Sequence, residues 1–251
     1  MKSLKSVVSI VFSLLILLPT IAYAQSTSPK HFDEFLLNAG TPQNVIDEMD
    51  PELKQLIYET SSKEAITYVE TGIDPTIPQT YADGYEISSS DLAMDVTAYK
   101  TSSGKLNIYP SYEWKIPVKP KGKDYFGYST HSDYSVVPNE RSNKVYYKLD
   151  KNDSWKSQSS LSYTGTEMTG YQHKGSSLGS PDSKMYIKAN CYYQVDIDSS
   201  NPVNKIVLAY VHDTSAGGSL SYGISYQALG ISITPSSSNV GYLNNVYYLE
   251  Y

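Results

Sequence analysis

Thirteen consecutive residues, 185–197, alternate without a break. Met185, Ile187, Ala189, Cys191, Tyr193, Val195 and Ile197 fall on one parity, and Tyr186, Lys188, Asn190, Tyr192, Gln194 and Asp196 fall on the other. Only an extended strand sends successive side chains to opposite sides, so this stretch reads as a β-strand with one buried and one wetter face, as in antiparallel sheets. The same period returns at Leu92, Met94, Val96 and Ala98, and at Val145, Tyr147 and Leu149. Residues 206–211 are apolar on both parities, which predicts a central strand. Leu220, Tyr222, Ile224, Tyr226 and Ala228 alternate, and Leu229, Ile231 and Ile233 continue in the opposite phase. That slip beside Gly230 reads as a β-bulge. Residues 246–251 form a last strand that ties the C-terminus into the sheet.

Turn signals separate these runs: Ser103-Gly104, Lys121-Gly122, Pro138-Asn139, Gly179-Ser180-Pro181, Ser200-Asn201-Pro202 and Gly217-Gly218. Many strands with such punctuation predict a mainly β fold, an antiparallel β-sandwich in preference to a closed barrel. Tyrosine fits that fold. The chain has 25 tyrosines and only 4 phenylalanines, and tyrosine combines β propensity with a hydroxyl that reaches solvent from a half-buried face.

A short helical segment precedes the sheet. Phe32, Phe35 and Leu36 recur at helical spacing and Gly40 stands at the stop position. Thr41-Pro42 and Asp50-Pro51 each place a capping side chain before a proline suited to the first helical position. Val45, Ile46 and Met49, then Leu53, Leu56 and Ile57, supply the apolar faces. Three helices this short are marginal alone in water, so they must pack on one another, on the sheet or on a partner. Charge changes across the same boundary: residues 25–70 carry nine acids against three lysines, and the remainder is nearly balanced.

Residues 1–24 read as a secretory signal peptide. Lys2 and Lys5 precede an apolar run over 7–18, Pro19 breaks it, and Ala22-Tyr23-Ala24 forms an A-x-A cleavage site. The run is shorter than the roughly 20 residues of a membrane span. The chain therefore divides into a signal peptide (1–24), an acidic helical segment (25–62) and a Tyr-rich β domain (63–251), exported by a bacterial-type route. A single cysteine excludes an internal disulfide framework and a Cys-rich zinc site. A net charge of −6 speaks against a nucleic-acid face.

Candidate chemistry is sparse. Cys191 lies mid-strand on the apolar parity, which predicts an inert buried thiol. The four histidines, His31, His131, His173 and His212, form no local metal pair. His131 and Asp133 share a parity, whereas His212 and Asp213 do not. Asp196 and Asp198 read as solvated charges where a strand meets a turn. No catalytic residue, metal site or cofactor is assigned. Binding signals are stronger. Trp114 and Trp155, with Tyr112, Tyr125 and Tyr128, can form an aromatic platform for sugar rings. Lys119, Lys121 and Lys123, with Lys115, form a basic run for an anionic polymer, a membrane surface or the acidic helical segment itself. The leading reading is a secreted, non-catalytic binding protein for an extracellular ligand such as a polysaccharide or an anionic wall polymer, with no nucleic-acid partner and no stable transmembrane segment. The alternative is a β-pore-forming protein, with the Ser/Thr-rich loop region 154–180 as the part that refolds. A secreted hydrolase is third.

Overall fold

The computed structural model describes residues 29–74, 85–119, 124–158, 162–167, 170–174, 183–213, 222–223, 232–233 and 240–251. The signal-peptide reading, the Gly230 slip and the turns at 121–122, 179–181 and 217–218 lie outside these residues. Three helices come first: α1 (Pro29–Asn38), α2 (Gln43–Glu48) and α3 (Pro51–Ser61). Gly40 ends α1 at φ +84°, a conformation that glycine adopts without steric cost. The strands are β1 (Ile66–Ile73), β2 (Tyr85–Glu86), β3 (Leu92–Thr101), β4 (Leu106–Trp114), β5 (Asp124–Thr130), β6 (Tyr134–Lys148), β7 (Lys156–Gln158), β8 (Ser162–Glu167), β9 (Gly170–Lys174), β10 (Tyr186–Ile197), β11 (Lys205–Asp213), β12 (Tyr222–Gly223), β13 (Ser232–Ile233) and β14 (Val240–Glu250).

Twelve strands join into one open sheet in the order β7-β6-β10-β4-β3-β1-β14-β11-β5-β9-β8, with β2 beside β14. All pairings along this path are antiparallel, and only β2 runs parallel to its neighbour. The sheet folds over at β1. The first half of β1, Ile66 to Val69, pairs with β3, and the second half, Glu70 to Ile73, pairs with β14. One strand thus serves two layers, the device by which sandwiches turn corners. Layer A runs from β7 to β1 and layer B from β1 to β8.

The two layers meet face to face. Tyr112 of layer A stacks edge-on against Phe126 and Tyr210 of layer B, with centroids 5.0 and 4.7 Å apart. Tyr128 and Tyr193 approach to 4.9 Å, and the Tyr247 hydroxyl donates to the Met94 carbonyl. Leu92, Met94, Val96 and Ala98, and the apolar parity of β10, all lie in this core. The fold is therefore the mainly antiparallel, open, layered architecture that the alternation predicts.

Four expectations are corrected. The wetter parity of β10 is not wet: Lys188, Asn190, Tyr192 and Gln194 are buried, because the helices cover the outer face of layer A. Pro138-Asn139 is no turn. Between Tyr193↔Arg141 and Val195↔Val136, four residues of β6 stand against one of β10, with Asn139 at φ 68°. A bulge with proline there interrupts an edge that would otherwise invite pairing with another chain. Region 154–180 is not all loop, since it supplies β7, β8 and β9. Finally, Tyr222 pairs antiparallel with Ile233, so the alternation over 220–234 is not one strand.

The helices form a second core against layer A. Leu36, Ile46, Leu56 and Ile57 pack with Ile66, Tyr99, Tyr109 and Tyr192. Ile57 is fully buried. Ile57→Ala is expected to lower unfolding stability by about 2–5 kcal/mol, the cost of lost burial plus a residual cavity, read from the denaturant midpoint.

Candidate functional site

Both residues expected to cap helices spend their side chains elsewhere. Neither α2 nor α3 has a side-chain cap hydrogen bond. The Thr41 hydroxyl instead meets the Tyr99 hydroxyl at 3.0 Å. Asp50 accepts from Lys188 Nζ at 2.6 Å and from Asn190 Nδ2 at 2.9 Å. Glu52 takes a second Lys188 bond at 2.9 Å. Lys188 is only 4% exposed, and the Trp155 and Tyr146 rings lie 4.5 and 5.4 Å from its ammonium. A buried lysine stays charged only with such partners. At the far end of α3, Ser61 and Thr60 each meet the buried Tyr109 hydroxyl at 2.7 Å, and Asn107 donates to Ser61 at 2.8 Å.

Two carboxylates share one lysine, and their titrations separate. Burial raises both; hydrogen bonds from Glu52, Asn190 and Lys188 outweigh it at Asp50, which ends below the ordinary range. At Glu52, burial and the neighbouring Asp50 leave the carboxyl above it. On acidification Glu52 takes a proton first, while Asp50 holds Lys188.

This anchor borders a cleft of about 360 Å³ between the helices and the outer face of layer A. Its floor follows from the sheet register. Asn190, Ser111 and Asp95 stand in one row across β10, β4 and β3, and Lys188, Glu113 and Ala93 in the next. Thr97 sits opposite Tyr109 in the row beyond. Ala93, Ser111 and Thr97 are too small to fill the space that α2 and the start of α3 bridge. Val45, Met49 and Leu53 form the apolar wall, and Glu48, Asp50, Asp95, Glu113, Lys115 and Lys188 supply the charge. Sequence reasoning missed this site, because its residues come from five separate segments and none carries a motif.

The expected site residues scatter. Trp114, Tyr112 and Tyr128 are 3%, 5% and 0% exposed and fill the core between the layers, so no platform forms from them. Their parity matches Ile108 on β4 and Phe126 on β5, which turns them inward. Tyr125, on the other parity of β5, is half-buried. Trp155 is half-buried beneath Lys148 and Lys188, each 4.5 Å from its ring. Lys119 is exposed; Lys121 and Lys123 lie outside the described residues. Among the described residues the helical acids pair with other lysines. Asp50 and Glu52 bind Lys188 and Glu59 binds Lys144, whereas Lys115 pairs with Glu113 of the adjoining strand.

Cys191 is buried, with its thiol pushed well up by desolvation. His131 pairs with Asp133 at 2.8 Å, but Asp133 also accepts the Val203 N–H and so ties two loops together. His212 has no same-face acid in its own strand; in the sheet register it faces Asp124, 2.7 Å away and buried, which also accepts from the Tyr210 hydroxyl. Among the described residues no group of three or more His, Cys, Asp or Glu side chains is placed to hold a metal ion, and no helix is long and apolar enough to cross a membrane.

Lys188→Met is expected to destabilise the fold by roughly 2–4 kcal/mol, below the upper range for buried pairs because Asp50 and Glu52 keep about a quarter of their exposure. With its lowered pKa, Asp50 contributes stability above its unfolded-state pKa that is lost as pH falls through the lower folded value. Asp50→Asn is expected to remove that acid-dependent component from the pH–stability curve. Trp114→Ala is expected to cost about 3–5 kcal/mol, so any ligand binding lost with it reports unfolding; circular dichroism on the same sample checks this.

No family model matches the chain, and no curated protein matches it. Solved structures give distant likenesses. The enzyme AvmM, which catalyses macrocyclization in alchivemycin A biosynthesis, is 9% identical over 69% of this chain and 95% of its own, with a TM-score of 0.27. The pilus backbone RrgB from Streptococcus pneumoniae is 11% identical over 73% of this chain and 49% of its own, at 0.27. The KRT10-binding region domain of the pneumococcal serine-rich repeat protein PsrP is 14% identical over 57% of this chain and 85% of its own, at 0.22. Similarity at this level assigns neither a family nor an activity to this chain.

Proposed function

We propose that this chain is an exported, non-catalytic binding protein whose ligand occupies the cleft between the helical segment and layer A. The observation that carries the reading is the cleft itself: a solvent-open cavity of about 360 Å³, held in shape by a buried ion cluster on one side and a small-residue floor beneath. That volume falls in the range of small-molecule sites, which combine an apolar wall with a few placed polar groups. The charged start, apolar run and A-x-A site of residues 1–24 support export. The acidic lining favours a polysaccharide or a cationic group over an anionic wall polymer.

A membrane-active reading draws on a different observation. Strands β6 and β10 have 15 and 12 residues, longer than the roughly 9–11 that cross a bilayer as a barrel strand. Dye release from liposomes separates it from the binding reading.

Filling the cleft tests the proposal. Ser111→Phe, on the floor, is expected to abolish retention on the polysaccharide or cell-wall fraction that the wild type binds, with the melting temperature within a few degrees of wild type. Unchanged retention would place the ligand site elsewhere.

A further inference from the structure

The charges around the cleft are unevenly matched. Lys188 is neutralised by Asp50 and Glu52, at 2.6 and 2.9 Å. Lys115 is 2.7 Å from Glu113. Asp95 stands apart from both pairs. Its carboxylate accepts the Val96 N–H at 2.8 Å and has no cationic partner among the described residues. The residue is exposed, yet surrounding protein raises its carboxyl above the ordinary range, the Val96 bond opposing. That combination describes a group at the bottom of a depression: reachable from solvent, and short of hydration.

We infer that the cleft takes a primary ammonium group, carried on a short aliphatic stem or on a sugar ring, with Asp95 as its counter-ion. This rests on the cleft being the ligand site. A carboxylate without an internal cation attracts one from outside, and the attraction strengthens where water is partly excluded. An ammonium has three donors to place. Asp95 accepts one, and two hydroxyl oxygens beside it on the floor can accept the others: that of Thr97, and that of Ser111, whose own proton goes to the Asp95 carbonyl at 3.5 Å. Met49 and Leu53 offer an apolar wall for the carbon skeleton. An anionic ligand would face Asp95 and Glu48 with both nearby lysines already paired.

The test is a titration of the 15N-labelled full chain with four probes. Nα-acetyl-lysine methylamide is compared with its uncharged analogue, Nα-acetyl-norleucine methylamide, and glucosamine with N-acetylglucosamine. The inference expects saturable shifts at the Ala93, Asp95 and Ser111 amides for at least one ammonium probe, and at least ten-fold weaker binding of its uncharged counterpart. Asp95→Asn is expected to reduce the ammonium probe to the level of the uncharged one while the melting temperature holds. Binding is expected to weaken as pH falls through the raised Asp95 pKa, because only the carboxylate pairs with the cation. Which ammonium probe binds separates a lysine side chain from an amino sugar as the source. Equal binding of charged and uncharged partners, or indifference to Asp95→Asn, overturns the counter-ion role while leaving the cleft as a site. No saturable binding by either ammonium probe overturns the inference. Any ligand whose binding survives Ser111→Phe overturns the underlying reading as well.

Discussion

A tyrosine hydroxyl carried into a protein interior has to meet a partner, or the burial costs about 1–3 kcal/mol. Layer A carries three such rings on its outer face, Tyr99, Tyr109 and Tyr192, all buried. The helices supply part of what these rings need. Thr41 meets Tyr99, and Ser61 and Thr60 meet Tyr109. The sheet supplies the rest through Asn107, whose Oδ1 accepts the Tyr192 hydroxyl at 3.5 Å and whose amide also links Ser61 and Gln194. The helical segment is therefore a structural layer as much as an appendage. It hides apolar ring surface and satisfies the polar tips together, and the cleft lies beneath the part of that cover formed by α2 and the start of α3.

The same economy explains the lysine. A strand buried on both faces that contains Lys188 needs acceptors delivered from above, and the start of α3 delivers two. Asp50 and Glu52 titrate in opposite directions from their ordinary values, so on acidification the carboxylate left on Lys188 is Asp50.

Much of the fold was legible in the sequence. Period two at Leu92, Met94, Val96 and Ala98 found the inner face of β3, and the Pro51 signal placed the start of α3 at its proline. What failed was inference about what faces what. Lys188, Asn190, Tyr192 and Gln194 look like a solvated face because local pattern records polarity, and nothing local reveals a helix docking from over a hundred residues away. Trp114 and Tyr112 looked like a platform because aromatic composition does not say which side of a strand meets a second sheet. Thr41 and Asp50 have the right types for caps, but Asp50, at the N-cap of α3, gives its oxygens to Lys188 and Asn190, and Thr41 lies one residue ahead of Pro42, the N-cap of α2, with its hydroxyl on Tyr99. The cleft was illegible for the same reason: its floor is a product of register, and Asp95 is an ordinary acid until Ser111 and Asn190 are lined up beside it.

Strand β1 carries one more consequence. It pairs Glu70 with Glu250, so its second half waits for a neighbour made 180 residues later. Through that neighbour, β11 and β5 join the strip as well. A ribosome emitting this chain releases the helices and one layer's early hairpin long before the piece that bridges to the other layer. Closing such distant pairs is slow. The growing polypeptide therefore stays without its finished sandwich until residues 240–250 emerge, and a chain in that loose state can be threaded through a narrow channel before it sets.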